Sequence, residues 1–441
     1  MSPETNSVSS FDLSKYPAFD PLKTAQVKID PLNKGLGRAD EAFVADQAVA
    51  LGWNLLHEDL SLPAAVLYKH KLEHNLRWMQ DFVRAYGVKL APHGKTTMAP
   101  RLFEMQLASG AWGLTLATAH QTQVAFRHGV RRVLMANQLV GRRNMAIISE
   151  LIADPGFSFY CLVDSVELVD LLSEYFRERR QQLNVLVELG VMGGRAGVRN
   201  DEQLDEVLAA IDRSNGSIVL SGIEVYEGVL KEEPSVRTLL KRAVEATRRL
   251  VAKRKDAAAP FLLSGAGSSW YDVVAEEFTA AGFGPEVDIV LRPGCYLTHD
   301  AGHYRETQVR ILQSNPVARG IGSDLECALH IWAYIQSVPE PGRAIVGLGR
   351  RDAAFDSGLP VPALYFRPGK DTIPMPAPAH WRLSRIMDQH AFLEVSTLDG
   401  VRPGDMIGFD ICHPCLTFDK WRTIPMVDSD FRVVEVVQTF F

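Results

Sequence analysis

Short apolar runs alternate with amphipathic segments from residue 64 to residue 294. The segments between the runs place apolar residues at helical spacing, so the pattern predicts strands and helices in turn. The runs include AAVLY (64–68), VKLAP (88–92), NVLVELG (184–190) and VDIVLRPG (287–294). About eight or nine of them suit a (β/α)8 TIM-type barrel of about 250 residues. A doubly wound open sheet is the alternative, because periodicity does not show closure.

The sequence changes character after about residue 305. Runs that resemble strands, broken by Pro and Gly, include TQVRILQ (307–313), AIVGLG (344–349) and MIGFDIC (406–412). They predict a separate C-terminal β-rich domain. The expected organisation of this α/β protein is an N-terminal extension packing on the β domain (1–60), the barrel (61–305) and the β-rich domain (306–441). A short helix is predicted at 40–51.

Composition limits the partners. The 441 residues carry a formal net charge of −6, and Lys and Arg are spread along the chain. Nucleic acid and membrane surfaces are therefore not expected partners. The first twenty residues do not resemble a secretory signal, and no apolar stretch reaches the length of a membrane span. We expect a cytoplasmic protein whose five cysteines are thiols or metal ligands rather than disulfides.

Lys95 is the first candidate for chemistry. It lies in APHGKTTMAP (91–100), directly after a predicted strand. In a parallel barrel the reactive groups lie just past the C-terminal ends of the strands. A lysine there can form a Schiff base with an aldehyde cofactor if burial frees its amine. A solvated loop lysine is the alternative.

The loop LSGAGSSWYD (263–272) is a candidate phosphate site. Backbone N–H groups of Gly265, Ala266 and Gly267, with the hydroxyls of Ser268 and Ser269, could cradle a phosphate near a helix start. The loop lacks the lysine of a nucleotide P-loop, so a phosphorylated cofactor fits better than ATP. A tight turn is the alternative.

His413 and Cys415 are a candidate metal pair in GFDICHPCLTFDKW (408–421). On an extended strand, residues at this spacing project from the same face. Imidazole and thiolate suit Zn²⁺, and two protein ligands leave positions open for substrate. A buried thiol beside a surface histidine is the alternative.

From about residue 60 onwards, these segments together resemble the D-serine dehydratase and D-threonine aldolase family of fold-type III, alanine racemase-like pyridoxal-phosphate enzymes. The family segment whose lysine carries the cofactor is matched by Pro92, His93, Lys95 and Thr96. Other family positions are matched by Glu188, Arg195, Gly197, Val198, Gly222, Tyr226, Gly228, residues 264–269, Pro293, Gly294, Tyr296 and Asp300. In the last domain, His390 approaches a Glu-His element, and His413 with Cys415 matches the metal pair.

The resemblance implies roles for these residues. Lys95 would hold pyridoxal 5'-phosphate, and His93 and His390 would handle protons or support the site. The implied cofactor contacts are Arg195, Tyr226, Gly265, Ala266, Gly267, Ser268 and Tyr296. His413 and Cys415 would bind Zn²⁺ or another divalent ion. Family dehydratases pair histidine with cysteine, so Cys415 favours the dehydratase branch.

The activity implied is a D-serine dehydratase-like lyase that converts a small D-β-hydroxy amino acid to an α-keto acid and ammonia. A D-threonine aldolase-type enzyme, an amino-acid racemase and a non-catalytic cofactor-binding protein stay open as alternatives. Two departures from the family pattern, Pro414 in HPC and Gln389 before His390, bear on the substrate. The family forms head-to-tail homodimers in which one β domain covers the other subunit's barrel mouth, so a homodimer is expected.

Overall fold

The structure is a computed structural model that describes residues 28–254 and 259–441. Residues 1–27 of the predicted extension and Lys255, the end of a helix predicted from Glu233, lie outside the described residues. No helix in the described ranges is both long and apolar enough to cross a membrane.

The described N-terminal residues pack against strands of the C-terminal β-rich sheet. Strand β1 (Lys28–Ile29) pairs antiparallel with β2 (Phe43–Val44). The helix predicted at 40–51 is a 3₁₀ helix, Ala45–Leu51. Trp53 and Leu55 belong to the same buried cluster as Trp332 and Val433. The run AAVLY forms the next strand, β3 (Ala64–Tyr68).

Eight parallel strands form the barrel wall. They are β4 (Lys89–Leu90), β5 (Leu114–Leu116), β6 (Arg132–Gln138), β7 (Ser158–Val163), β8 (Leu183–Leu189), β9 (Ile218–Val225), β10 (Phe261–Gly265) and β11 (Val287–Leu291). Their order is β4-β11-β10-β9-β8-β7-β6-β5, and a parallel bridge between His93 and Thr115 joins the two edges. The predicted (β/α)8, alanine racemase-like barrel is confirmed.

Amphipathic helices surround this wall. They are α1 (Lys69–Tyr86), α2 (Pro100–Ala108), α3 (Ala119–Arg127), α4 (Arg142–Leu151), α5 (Val166–Glu178), α6 (Asp201–Arg213), α7 (Glu233–Val251) and α8 (Tyr271–Ala280). The side chains of Thr118, Ser165 and Asn200 accept N–H groups at the starts of α3, α5 and α6. Such caps satisfy donors that the first helical turn leaves free.

The C-terminal part begins with two helices and continues as an antiparallel sheet, so the predicted β-rich domain is confirmed. Its elements are α9 (His303–Ser314), α10 (Pro316–Ile321), β12 (Leu329–Glu340), β13 (Arg343–Val346), β14 (Val361–Phe366), β15 (Met375–Pro376), β16 (Arg382–Ile386), β17 (Ala391–Glu394), β18 (Met406–Asp410), α11 (Cys415–Phe418), β19 (Thr423–Val427) and β20 (Val433–Gln438). The sheet order runs β15-β14-β18-β12-β13-β17-β16.

Two local predictions were wrong. The run TQVRILQ lies in α9, because Thr307 and Ile311 bury one face at helical spacing. The run AAVLY, counted with the barrel strands, forms β3, which pairs antiparallel with β12 and parallel with β19 in the second sheet. The chain therefore passes from the β domain into the barrel after β3. Helix α11 of the β domain contacts the turn that carries Lys95.

Candidate active site

Lys95 lies in a single 3₁₀ turn, Gly94–Thr96, just past the C-terminal end of β4. A Cβ at position 94 would lie 2.8 Å from the Phe103 ring, so glycine lets this turn sit against α2. Thr96 and Thr97, which follow Lys95, are buried, whereas Lys95 is exposed. Lys95 thus follows a barrel strand, as predicted, but the burial that would free its amine is not seen in the single chain.

His93 belongs to a buried polar group that spans three strand ends. Its Nε2 lies 3.3 Å from Nη1 of Arg292, which follows β11. Arg292 also forms an ion pair with Glu224 on β9 and donates to the carbonyl of Val225 at 3.1 Å. Burial, together with the neighbouring cations, lowers the pKa of His93 well below its usual value. His93 is therefore neutral and accepts from Arg292.

Several polar atoms of this group have no partner within the described ranges. They are His93 Nδ1, Arg292 Nε and Glu224 Oε2. Burial raises the pKa of Glu224 to about 8, against the opposing effect of Arg292. Buried polar atoms are nearly always hydrogen-bonded in native proteins. These atoms therefore offer donors and acceptors to a polar molecule bound inside the mouth.

Arg195 and Tyr226 lie together at the next part of the mouth. The Arg195 guanidinium stands 4.5 Å from the centre of the Tyr226 ring and 3.9 Å from Glu188 Oε1. Glu188 accepts from Gln138 at 2.7 Å, and burial raises its pKa. More than half of the Arg195 side chain is exposed, so it can reach a molecule in the mouth.

The predicted phosphate loop already binds an anionic group. Glu227 is fully buried, and its carboxylate accepts the N–H groups of Ala266 at 3.1 Å and Gly267 at 2.6 Å. Ala266 has a φ of 75°, which turns these groups to one side. Ser268 Oγ accepts the N–H groups of Gly294 and Cys295, each at 3.3 Å. The loop is thus an anion nest, and a phosphate there would have to compete with or displace Glu227.

Two predicted residues lie away from this group. Tyr296 is buried, and its hydroxyl accepts a hydrogen bond from Gln106 on α2 at 3.2 Å. His390 lies in the exposed turn between β16 and β17, where its carbonyl accepts the Met387 N–H. In the described part of the chain, no hydrogen bond or ion pair joins His390 to Lys95, His413 or Cys415.

His413 and Cys415 are in contact, but not on a strand. Strand β18 ends at Asp410, and Pro414 precedes the helical turn of α11, so the predicted extended geometry was wrong. Proline favours the first turn of a helix because it lacks an N–H. The turn brings Cys415 Sγ within 3.4 Å of Thr96 Oγ1, beside Lys95.

Neighbouring groups shift the pKa values of His413 and Cys415 in opposite directions. Contact with Cys415 raises the pKa of His413 to about 9, against the effect of burial and with help from Asp356. A hydrogen bond from Cys295 lowers the pKa of Cys415, again against burial, and contacts with His413 and Thr96 act in the same direction. Each of the two residues therefore favours the charged form of the other.

Asp356 and Cys295 are neighbours that the sequence did not reveal. Asp356 Oδ2 accepts the Nδ1–H of His413 at 2.8 Å, which leaves Nε2 on the other side of the ring. Cys295 Sγ lies 3.8 Å from Cys415 Sγ. In residues 28–254 and 259–441, no three His, Cys, Asp or Glu side chains are gathered closely enough to form a ready metal cluster.

Comparison with known proteins gives two matches to protein families. The alanine racemase N-terminal domain matches residues 68–298, more than half of the chain, and a putative serine dehydratase domain matches residues 328–427. The chain belongs to the alanine racemase-like fold-type III family. The resemblance drawn from the motifs around Lys95 is thereby confirmed.

The curated relatives include aldolases and a dehydratase. A D-threonine aldolase from Arthrobacter sp. is 26% identical over 70% of this chain and 76% of its own length. A 3-hydroxy-D-aspartate aldolase from Paracoccus denitrificans (strain Pd 1222) is 26% identical over 68% and 75%. A D-threo-3-hydroxyaspartate dehydratase from Delftia sp. (strain HT23) is 29% identical over 38% and 44%.

Solved structures of the family share the architecture. D-threonine aldolase from Filomicrobium marinum matches with a TM-score of 0.71 at 23% identity, over 88% of this chain and 97% of that one. The dehydratase from Delftia sp. HT23 matches with a TM-score of 0.67 at 21% identity, over 88% and 99%. At these identities the likeness shows the fold.

Proposed function

We propose that this protein is a pyridoxal-phosphate- and metal-dependent lyase that removes the β-hydroxyl of a small D-amino acid and yields an α-keto acid and ammonia. The observation that carries the proposal is the contact between Cys415, paired with His413, and the turn that holds Lys95. This contact supports the proposal because it brings Cys415 next to the turn of Lys95 within a single chain. The proposed metal pair and the proposed cofactor lysine could therefore act together in one subunit.

The residues fit pyridoxal phosphate on three counts. Lys95 offers an amine past the end of β4, and the His93, Arg292 and Glu224 group offers unpartnered polar atoms. The loop after β10 donates two N–H groups to the Glu227 carboxylate, and a phosphate that displaced Glu227 would be recognised by the same donors. Arg195 and Tyr226 would lie against the cofactor ring. The assignments of Tyr296 and His390 to the site stay predictions.

The chemistry divides between the bound groups and the chain. Pyridoxal phosphate, when bound, supplies an electron-withdrawing system for negative charge at the substrate α-carbon. A divalent ion, when bound, supplies a Lewis acid for the departing hydroxyl. Lys95 Nζ would take the proton from the α-carbon. Neutral His93 would accept a hydrogen bond from Arg292 and so help to orient its guanidinium, which also pairs with Glu224.

Zinc is the metal we propose for His413 and Cys415. Imidazole and thiolate together favour zinc over the harder ions that carboxylates prefer. Variants of the Delftia dehydratase replace a histidine and a cysteine two positions apart, and the cysteine variant was solved in a metal-free form. His413 and Cys415 have the same spacing.

A retro-aldol activity is the second candidate. The relatives that match about two thirds or more of this chain are aldolases, whereas the dehydratase relative matches 38% of it. An aldolase would use the same lysine and ion but would remove the proton of the β-hydroxyl. Its products would be glycine and an aldehyde.

One assay separates the two outcomes. Purified protein loaded with pyridoxal phosphate and zinc is given D-serine, D-threonine or D-threo-3-hydroxyaspartate, and keto acid, ammonia, glycine and aldehyde are measured. We expect keto acid and ammonia, with loss of activity on chelation and in Lys95→Ala. Lys370→Ala, which removes an exposed lysine of the β domain, is the matched control. Glycine as the main product would establish the aldolase, and cofactor binding unaffected by Lys95→Ala would contradict both.

A further inference from the structure

Cys295 lies at the metal pair but has no part in the function proposed above. It follows β11 in the barrel, is 4% exposed, and contacts Cys415 from the β domain across 120 residues of sequence. Both are free thiols. Their separation of 3.8 Å is far from the roughly 2.0 Å of a disulfide bond.

The distance fits a shared zinc ion. Two thiolate sulfurs held at about 2.3 Å from a tetrahedral zinc lie about 3.8 Å apart, because that is the edge of the tetrahedron. The sulfurs of Cys295 and Cys415 have this spacing without any metal. His413 already contacts Cys415, so Cys415 is the middle member of a row of three side chains whose types can bind zinc.

The surroundings of the row also favour a cation. Asp300 is 1% exposed, and its Oδ2 has no hydrogen-bond partner in the described ranges. The carboxylate interacts electrostatically with both Cys295 and His413. The hydroxyl of Tyr304 also hydrogen-bonds to Cys295. Its other oxygen, Oδ1, accepts the N–H groups of Gly302 and Tyr304, so Oδ2 is the oxygen that a nearby positive charge would stabilise.

We propose that Cys295 is a third protein ligand of the metal ion, together with His413 and Cys415. The proposal rests on the metal-dependent function proposed above and adds a ligand to it. Zinc binding forms the zinc–sulfur bond and releases the Cys295 thiol proton to solvent. As they stand, the three described side chains do not form a ready metal cluster, so His413 must turn towards the sulfur pair, and its side chain, 24% exposed, has room to do so.

A Cys₂His set leaves one open position, as in other catalytic zinc sites. That position would take a single oxygen of the substrate, the β-oxygen. The substrate carboxylate would then be bound by protein groups rather than by the ion. With Cys295 as a ligand, the metal would bind the substrate through one atom only.

The test is X-ray absorption at the zinc edge of the protein loaded with zinc and pyridoxal phosphate under reducing conditions. We expect two sulfur neighbours at about 2.3 Å in the wild type, one in Cys295→Ser and one in Cys415→Ser. Cys161→Ala, which removes a buried thiol from β7 in the barrel wall, should keep two. Equilibrium zinc binding should weaken about 10-fold or more in Cys295→Ser, since even indirect supporting residues have effects of this size.

The outcomes separate the two proposals. One sulfur neighbour in the wild type, unchanged in Cys295→Ser, overturns the third ligand and leaves the metal-dependent lyase standing. A Cys295–Cys415 disulfide in zinc-loaded protein also overturns it. Failure of the wild type to bind zinc overturns both. The wild-type measurement decides the matter even if a variant does not fold.

Discussion

Asp356 would orient a ligand of the proposed metal site. Its carboxylate accepts the Nδ1–H of His413 and so favours the tautomer that leaves Nε2 available to a metal ion. We expect Asp356→Asn to weaken zinc binding about 10- to 100-fold, the usual effect of losing such a partner. Equilibrium competition with a zinc chelator measures it. Asp419→Asn, at the end of α11, is the control, and an equal loss there would refute the orienting role.

His93 gives a prediction of pH dependence. Burial lowers its pKa well below the value of about 6.5 expected in the unfolded chain. The unfolded state therefore binds a proton that the folded state excludes, so the stability from neutral His93 is present above about pH 6.5 and is lost as the pH falls. In urea unfolding, the wild type should lose roughly 1 kcal/mol more than His93→Gln between pH 7.5 and pH 5.5. A difference that does not change with pH would show that His93 is protonated in the folded protein.

At the level of the element, the loop after β8 positions Arg195 by folding back on its own strand. Gly197 has a φ of 95°, and a Cβ there would lie 2.5 Å from the Gly190 nitrogen. We expect Gly197→Ala to lower stability by about 1 to 3 kcal/mol beyond the backbone strain and to weaken cofactor binding by displacing Arg195. Gly193→Ala is the matched control, because Gly193 has a φ of 72° but nothing within 4 Å. Equal melting temperatures for the two variants would contradict the packing argument.

The elements also show how far sequence reasoning reaches. Apolar runs predicted the barrel strands because a parallel strand buried on both faces appears in the sequence as a nearly continuous run of hydrophobic residues. The pattern of AAVLY could not say which sheet it joins, since its partners Leu329 and Met426 lie far along the chain. The short run TQVRILQ fits either a strand or a helix until its buried face is known.

The candidate site also contains residues that the sequence could indicate and residues that it could not. Lys95, the glycine-rich loop and the histidine–cysteine pair are local motifs, so the sequence alone could propose them. Arg292, Asp356 and Cys295 act through partners 68, 57 and 120 residues away, which one sequence does not bring together. The position of Arg292 directly after the strand VDIVL was the one local signal that could have marked it.

At the scale of the whole molecule, the homodimer stays a prediction with a physical reason. Lys95 is exposed in a single chain, whereas this chemistry needs water kept from the reacting carbon. A second subunit that covers the barrel mouth would provide this exclusion. Light scattering should give twice the 48.9 kDa mass of one chain. Specific activity should fall on dilution in parallel with the dimer fraction. Zinc content per chain should not fall, because His413 and Cys415 lie in one subunit, where Cys415 contacts Thr96. A monomer with full activity would show that one chain closes its own mouth.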